Sequence, residues 1–224
     1  MSTAGANTGT RAERTLATRR RMVRAAYDIF SSEGFLGTTM TAVAKRSRVA
    51  VPTVYYTFGT KVALLGEALG AAIIGFDVWR QPPPEPIEIA DVVTANRWWG
   101  DLLTAATSRD ALDVFVTQGT EVLRRVGPLM PALHGASGDP EGLELLRVGE
   151  ERRIDTYRAV VDVIATKPAG LRSDVTTEAA TDIVVVLFSA ETYQGLVSRG
   201  WSHERCEAFL VELLASQLLA APEP

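Results

Sequence analysis

The sequence predicts an all-α protein with a small three-helix head at its N-terminus and a larger helical bundle behind it. Two observations support this class. Apolar residues recur at helical spacing, as in Val23, Ala26, Tyr27 and Phe30, which would line one side of a helix. Beyond residue 86 there is no alternating strand pattern and no Asn-Gly or Asp-Gly hairpin signal. Helices are therefore expected throughout.

The first segment, residues 1–16, is small and polar and then basic, which predicts a flexible arm. The arginines of such an arm either enter an adjacent minor groove or remain in solvent, and the sequence leaves both possibilities open. A first helix is predicted from Thr18 to Glu33, where the apolar periodicity runs until Gly34 stops it.

Two short helices are predicted next, joined by a tight basic turn. Met40, Val43 and Ala44 have the spacing that buries one side of a short helix, and Thr39 precedes them as an N-cap. The second helix is expected from Val51 to Phe58. It tolerates Pro52 because the missing N–H falls in its first turn. The arrangement predicts a helix-turn-helix.

The second short helix carries hydroxyls and aromatic rings on its outward face. Val54 and Phe58 are four residues apart and pack inward, whereas Pro52, Thr53, Tyr55 and Tyr56 face outward. Hydroxyls bond phosphates or bases in a major groove, and ring or proline edges contact thymine methyls. This face favours DNA binding. The alternative is an ordinary helical pair with a solvated basic surface.

The charge distribution agrees with a DNA-binding head. Residues 1–70 hold ten lysines and arginines against four acidic residues, a net charge of +6, and the remainder carries −10. Phosphate neutralisation dominates affinity for DNA, so a basic head on an acidic body would offer DNA one end only.

At these positions the sequence resembles the tetracycline-repressor (TetR) family of bacterial transcriptional regulators. The matching residues have the family's spacing: Gly34, Thr38-Thr39, Val43-Ala44, Val49, Thr53-Val54-Tyr55, Phe58, Lys61 and Leu64-Leu65. Three positions depart from the pattern: Ala42 replaces an acid, Arg48 replaces the usual turn glycine, and Ala50 replaces the usual capping serine.

The resemblance implies a ligand-responsive regulator, most simply a repressor, that binds a palindromic operator as a homodimer and is released by a small apolar or amphipathic effector. Residues 17–80 would form the DNA-binding domain, and a helix over 61–79 would relay ligand binding to it. The residues expected to contact DNA are Thr39, Thr41, Arg48, Pro52, Thr53, Tyr55, Tyr56 and Lys61.

The proline-rich run 80–86 marks the boundary to a body over 81–224, expected to bind ligand and form the dimer. Its start signals include Ser108 before Arg109, Asp139 before Pro140, and Ser202 before His203. Helices are predicted over 87–107, 109–126, 140–166, 177–198 and 203–220, with a glycine-containing loop at 135–138.

The last two predicted helices favour a dimer. Residues 183–188 are apolar on every side, and one domain's core accounts for only one of those sides. Pairing with a second copy as a four-helix bundle would bury the rest. The alternative is a monomer with an unusually apolar central helix. The interface is expected to contain Ile183, Leu187, Phe209, Leu210, Leu213 and Leu214.

The effector site is less clearly marked in the sequence. Aromatic residues of the body could line a cavity between helices, or could belong to the ordinary core, and the pattern does not decide between these. The candidates are Trp98, Phe115, Tyr157 and Phe188.

Other classes of function receive little support. Cys206 is the only cysteine, and with two histidines in the chain a metal site lacks ligands, so no cofactor or metal is expected. No signal peptide and no apolar run of about 20 residues is apparent, which favours a cytoplasmic protein. A helical-bundle enzyme or small-molecule carrier with an incidental basic N-terminus is the alternative, although no Glu-x-x-His pair, phosphate loop or Gly-x-Ser-x-Gly occurs.

Overall fold

A computed structural model describes residues 10–79 and 97–220 of the chain, and within these ranges it is all-α, as the sequence predicts. The only pairing of extended chain in the described part is a single antiparallel bridge between Leu171 and Leu219. The helices are α1 (Arg11–Gly37), α2 (Met40–Ser47), α3 (Val51–Phe58), α4 (Lys61–Ile74), α5 (Arg97–Thr104), α6 (Ser108–Val126), a 3₁₀ turn (Gly127–Leu129), α7 (Met130–Ala136), α8 (Pro140–Ala165), α9 (Thr177–Leu187), α10 (Ala190–Val197) and α11 (His203–Leu218).

The chain divides into two compact units. The N-terminal unit comprises residues 1–82 together with 131–136, and the C-terminal unit comprises residues 83–130 and 137–224. The inclusion of most of α7 in the N-terminal unit has no counterpart in the sequence-based division at residue 80. The proline-rich run 80–86 lies outside the described residues.

Helix α1 begins earlier than predicted. The Thr10 hydroxyl accepts a hydrogen bond from the Glu13 amide, and the Glu13 carboxylate accepts one from the Thr10 amide, which forms a capping box. Residues 11–16, expected in a flexible arm, are therefore helical, and this expectation was wrong for them. Residues 1–9 of the arm lie outside the described residues.

The interior of the N-terminal unit follows the predicted periodicity of α1. Val23, Ala26 and Phe30 are completely buried. Gly34 has a φ of 68°, which breaks the helical geometry where the sequence predicts a stop, but the chain resumes one further turn to Gly37. Gly34 therefore acts as a kink inside the helix.

Helix α2 begins after the predicted cap and α3 has the predicted bounds, whereas α4 is shorter than predicted. Thr39 caps α2 by accepting from the Ala42 amide, and α3 begins after Ala50 without a side-chain cap. Helix α4 was expected to reach Trp79 but ends at Ile74, because Gly75 adopts a φ of 103°.

In the C-terminal unit several predicted boundaries need correction. Thr107, and not Ser108, caps α6, because Thr107 forms a capping box with Asp110 and Ser108 is buried in the first turn. Of the predicted helix 87–107 the structure shows 97–104, and residues 87–96 lie outside the described part. Helix α7 occupies the start of the predicted 135–138 loop.

The predicted helix 177–198 is two helices. It breaks at Phe188, which leaves helical geometry at φ −100° and ψ 64°, and Ser189 caps the next helix through the Thr192 amide. The core of the unit is built mainly from α6, α8, α9 and α11. Its largest fully buried side chains are Leu102, Leu112, Leu129, Ile164, Phe188, Leu210, Leu214 and Leu218.

Candidate nucleic-acid interface

The outward face of α3 is as predicted. Val54 is fully buried and Phe58 nearly so, whereas Tyr55 is 53% exposed and Tyr56 93% exposed. Pro52 is also exposed. A tyrosine ring left almost entirely in water gains nothing from burial inside its own domain, so Tyr56 is available to a partner.

The start of α2 contributes a second group of hydroxyls. Thr39 and Thr41 are exposed, and Thr39 stands at the helix N-terminus, where free backbone N–H groups favour an anion. The Thr39 oxygen accepts from the Ala42 amide at 3.1 Å, so its own O–H remains able to donate. Thr53 on α3 is only partly exposed.

The turn between the two helices is made by Arg48. This residue has φ 56° and ψ 49°, the left-handed conformation that favours glycine. Its amide donates to the carbonyls of Ala44 and Lys45, which closes α2. The arginine side chain is exposed and, among the described residues, has no carboxylate partner.

Lys61 does not have the position expected of a simple phosphate contact. Its ammonium donates to the Phe35 carbonyl at 2.7 Å and to the Thr38 carbonyl at 3.1 Å, and lies 4.1 Å from the centre of the Phe35 ring. Two of its three N–H bonds are therefore used within the N-terminal unit. The first function of Lys61 is to join the start of α4 to the end of α1, which sequence reasoning missed.

A second contact holds α1 and α4 together at the other end. The Arg19 guanidinium forms an ion pair with Glu67 that includes a 2.9 Å bond from Nε, and it lies 5.4 Å from the centre of the Phe58 ring of α3. Glu67 is largely buried. These contacts fix α3 against its two supporting helices, so the exposed Tyr face is held on a rigid base.

Three of the four effector candidates lie together in the C-terminal unit. Phe115 lies 5.4 Å from Tyr157 and 4.9 Å from Phe188 between ring centres. The Tyr157 hydroxyl donates to the Phe188 carbonyl at 2.9 Å, and burial raises the pKa of Tyr157 to about 12. Trp98 instead packs edge-on against Trp99, its neighbour in the chain.

The aromatic cluster is closely packed and depends on a glycine that the sequence analysis did not single out. A Cβ at Gly119 would stand 2.4 Å from a Phe188 ring carbon, so the ring occupies the space above the glycine. The Phe188 ring therefore packs directly on the α6 backbone. The signal was a lone glycine inside a helix, which commonly marks close packing.

The expected dimer residues separate into two groups. Leu210 and Leu214 are 0% exposed inside their own chain, so they have no surface left for a second copy, and their assignment to the interface was wrong. Ile183, Leu187 and Leu213 are partly exposed, and Phe209 is 39% exposed. Val186, on the same helix as Ile183, is 67% exposed and was not predicted as an interface residue.

His203 and Cys206 do not approach metal coordination. His203 Nδ1 is 2.8 Å from the Tyr193 hydroxyl and Nε2 is 3.0 Å from Glu121, while Cys206 is buried. In residues 10–79 and 97–220 no three His, Cys, Asp or Glu side chains are grouped to hold a metal ion.

Within the same ranges no single helix has the length and apolar character to span a membrane. Helices α3 and α4 pass that test only as a pair, with a bend of 75° between them.

Comparison with known proteins gives a family match for the N-terminal part of the chain. Residues 22–68 match the family of bacterial regulatory proteins, tetR family. No curated protein sequence matches the chain significantly.

Solved structures share the fold over nearly the whole chain. A putative transcriptional regulator from Saccharomonospora viridis in complex with choline is 18% identical, with 92% of this chain and 99% of that one covered and a TM-score of 0.67. FadR from Bacillus subtilis, a transcriptional regulator in complex with stearoyl-CoA, is 14% identical (88% and 97%, TM-score 0.66). NalD, the secondary repressor of the MexAB-OprM multidrug efflux pump in Pseudomonas aeruginosa, is 16% identical (92% and 98%, TM-score 0.59). The helix-turn-helix region, residues 22–68, therefore matches the tetR family of bacterial regulatory proteins, and the chain shares its fold with these solved structures over most of its length.

Proposed function

We propose that this protein is a cytoplasmic, ligand-responsive transcriptional repressor that binds a palindromic operator as a homodimer. The observation that carries the proposal is the exposed face of α3. It presents Tyr55 and Tyr56 to solvent on a helix whose other side, at Val54 and Phe58, is buried.

The chemistry of this surface suits both parts of DNA recognition. The Thr39 hydroxyl and the N-terminus of α2 suit a phosphate, which positions the protein on the duplex. Thr53 and the ring of Tyr56 on α3 suit base edges and thymine methyls, which carry sequence information. Thr41, Pro52 and Tyr55 complete the proposed contact surface.

Dimerisation would use the apolar side chains that the single chain leaves exposed. Val186 on α9 and Phe209 on α11 are large and apolar yet substantially exposed, with Ile183, Leu187 and Leu213 beside them on the same helices. Burial of this surface against its two-fold copy would give two DNA-binding heads, and their separation would set the spacing of the operator half-sites.

The effector is proposed to be a small apolar or amphipathic molecule bound in the C-terminal unit, next to the cluster of Phe115, Tyr157 and Phe188. Two solved relatives of the same fold hold choline and stearoyl-CoA. In this chain the three rings contact one another, so a ligand there would have to separate them. Phe188 directly follows the last residue of α9, so a ligand that displaced its ring would act on the C-terminal end of that helix.

A gel-shift experiment with the duplex upstream of the protein's own gene tests the proposal. We expect binding at nanomolar to sub-micromolar protein, lost in Tyr56→Ala, and reversed by at least one compound in a panel of amphipathic molecules. Lys45→Ala, which removes an exposed charge from α2, serves as a control for non-specific loss of charge. If wild type binds this duplex no better than an unrelated one, the proposed function does not apply to this duplex. If no genomic fragment is selected in a binding enrichment, the proposed function is wrong.

A further inference from the structure

A cleft of about 470 Å³ opens in the N-terminal unit between α1, the end of α2 and the segment after α4. Its most unusual property is its charge. Five arginines from different parts of the unit line it: Arg20, Arg21, Arg24, Arg46 and Arg48. Asp28 and Asp77 are the acidic residues among the described lining residues, which together carry a net charge of +3.

Two of the five guanidinium groups are committed within the protein. Arg46 pairs with Asp28 at 2.8 Å, and Arg20 donates to the Phe76 carbonyl at 2.8 Å. The remaining three arginines have no carboxylate partner among the described residues. Arg21 donates only to the Thr18 hydroxyl, at 3.3 Å. Arg24 lies over the Phe76 ring at 4.2 Å, which orients its guanidinium, and its N–H groups have no hydrogen-bond partner among the described residues.

Arg48 supplies an independent observation. It lines the cleft from a left-handed backbone conformation, at φ 56°, where glycine would avoid the conformational cost. A strained residue whose side chain enters a concave site is a recognised mark of function. Arg48 therefore adds to the cleft lining, with Arg21 and Arg24, a third guanidinium group that has no carboxylate partner among the described residues.

Like charges gathered in a concave site repel one another unless an anion lies between them. Arginine forks match the oxygens of phosphate groups, each by two parallel hydrogen bonds. Three guanidinium groups without a carboxylate partner among the described residues would be neutralised best by a ligand that carries more than one negative charge. The volume is within the range of small-molecule sites, and a recess of this kind encloses a compact anion better than the convex backbone of a duplex.

We propose that this cleft binds a small molecule carrying phosphate groups with at least two negative charges. Such a ligand bridges α1, through Arg21 and Arg24, to the turn before α3, through Arg48. Binding of the anion would therefore depend on the position of α3 relative to α1. The site adds a second input to the regulator proposed above and assigns Arg48 to the cleft and not to the operator.

Inorganic pyrophosphate is the probe, titrated into the full-length protein by isothermal calorimetry at fixed ionic strength. Arg48→Gly removes one charge and also relieves the left-handed backbone, so it should fold at least as stably as wild type. Arg21→Gln removes a second charge from an exposed helical position. Arg14→Gln, on the same helix but outside the cleft, is the matched control.

We expect one pyrophosphate site per chain, with each cleft variant about tenfold weaker, the order expected for the loss of one charge-assisted contact, and the control within twofold of wild type. Absence of saturable binding in wild type, or equal binding by wild type and both cleft variants, overturns the proposal. These measurements require no DNA, so they stand even if the protein proves not to be a regulator.

A second titration distinguishes the two sources of phosphate. Pyrophosphate is titrated into protein saturated with the duplex that it binds in gel shifts. Persistence of the pyrophosphate site supports the proposal. If the duplex abolishes that site, and Arg48→Gly and Arg21→Gln reduce the salt dependence of duplex binding, the arginines contact the DNA backbone and the small-molecule site is overturned.

Discussion

The Lys61 ammonium lies 2.7 Å from the Phe35 carbonyl oxygen and 4.1 Å from the centre of the Phe35 ring. Lys61 is the first residue of α4, so its side chain connects the start of α4 to the last turn of α1. The α1 carbonyls past the kink at Gly34 have few helical partners, and a lysine ammonium satisfies two acceptors there, on Phe35 and Thr38. Phe35 is also the residue against which Gly135 of α7 packs, since a Cβ at Gly135 would stand 3.3 Å from the Phe35 Cβ.

We predict that Lys61→Met lowers the free energy of unfolding by about 1–3 kcal/mol, because it removes two charge-assisted hydrogen bonds but keeps most of the side-chain volume. Urea denaturation followed by circular dichroism measures the change. Lys45→Met, at an exposed position of α2, is the control and should change stability by less than about 0.5 kcal/mol. Equal stability of the two variants would show that the Lys61 bonds contribute nothing net.

The exposed face of α3 allows a prediction about DNA sequence specificity. Tyr56→Ala should weaken operator binding by about 1–3 kcal/mol per half-site without changing stability, because its ring is almost wholly exposed in the free protein. Thr53→Ala should instead change which base is preferred at one position of each half-site. A binding-site selection on wild type and both variants measures the two effects. A Tyr56→Ala protein with wild-type affinity would remove this ring from the contact surface.

Helix boundaries could be predicted from the sequence where local signals determine them. The start of α2 and the bounds of α3 depend on local signals, Thr39 as a cap and Pro52 in a first turn, and the structure has them as predicted. The end of α4 depended on whether Gly75 would leave the helix, and in the structure it does so with a φ of 103°.

Partners distant in sequence were not available to pattern reasoning. The sequence shows Lys61 as one more basic residue beside a DNA-binding motif, and only the approach of Phe35, 26 positions earlier, gives it a structural function. Leu210 and Leu214 were predicted to lie on one apolar face of the last helix, and in the structure they are buried inside their own chain. Helical periodicity identifies the face that is buried but cannot distinguish burial by the same chain from burial by a second copy, which is why they were wrongly placed in the dimer interface.

The contact between Gly119 and Phe188 gives a test of the aromatic cluster. Gly119→Ala places a methyl group about 2.4 Å from the ring, so the ring must shift, and we expect a loss of about 1–3 kcal/mol of stability. Gly149→Ala is the matched control, because it lies inside α8 with nothing within 4 Å of the added carbon, and it should stabilise the protein by up to about 1 kcal/mol. Thermal unfolding of the two variants measures the contrast. If both variants are stabilised, the ring moves freely, and the proposed effector region is looser than its packing indicates.

The predicted dimer interface can be tested by comparing substitutions of an exposed residue and of its buried neighbour. Phe209 and Leu210 are adjacent on α11, but Phe209 is 39% exposed and Leu210 is 0% exposed in the single chain. A carboxylate at Leu210 would be buried in the core of its own unit, so Leu210→Glu should unfold the C-terminal unit whether or not a dimer forms. Phe209→Glu should leave that core intact and disrupt only a contact with a second copy.

We therefore expect wild type to be a dimer at micromolar concentration and Phe209→Glu to be a folded monomer, measured by size-exclusion chromatography with light scattering and by circular dichroism. Val186→Glu, on α9, should behave in the same way, since it is 67% exposed in the single chain. Glu212→Gln on α11 is the control for a charge change on an exposed part of the same helix and should remain dimeric. Two linked heads gain affinity through effective concentration, so the monomeric variants should bind the operator about 10²- to 10⁴-fold more weakly although α2 and α3 are intact. A wild type that is monomeric and yet binds its operator tightly would contradict both the interface and the two-headed mechanism.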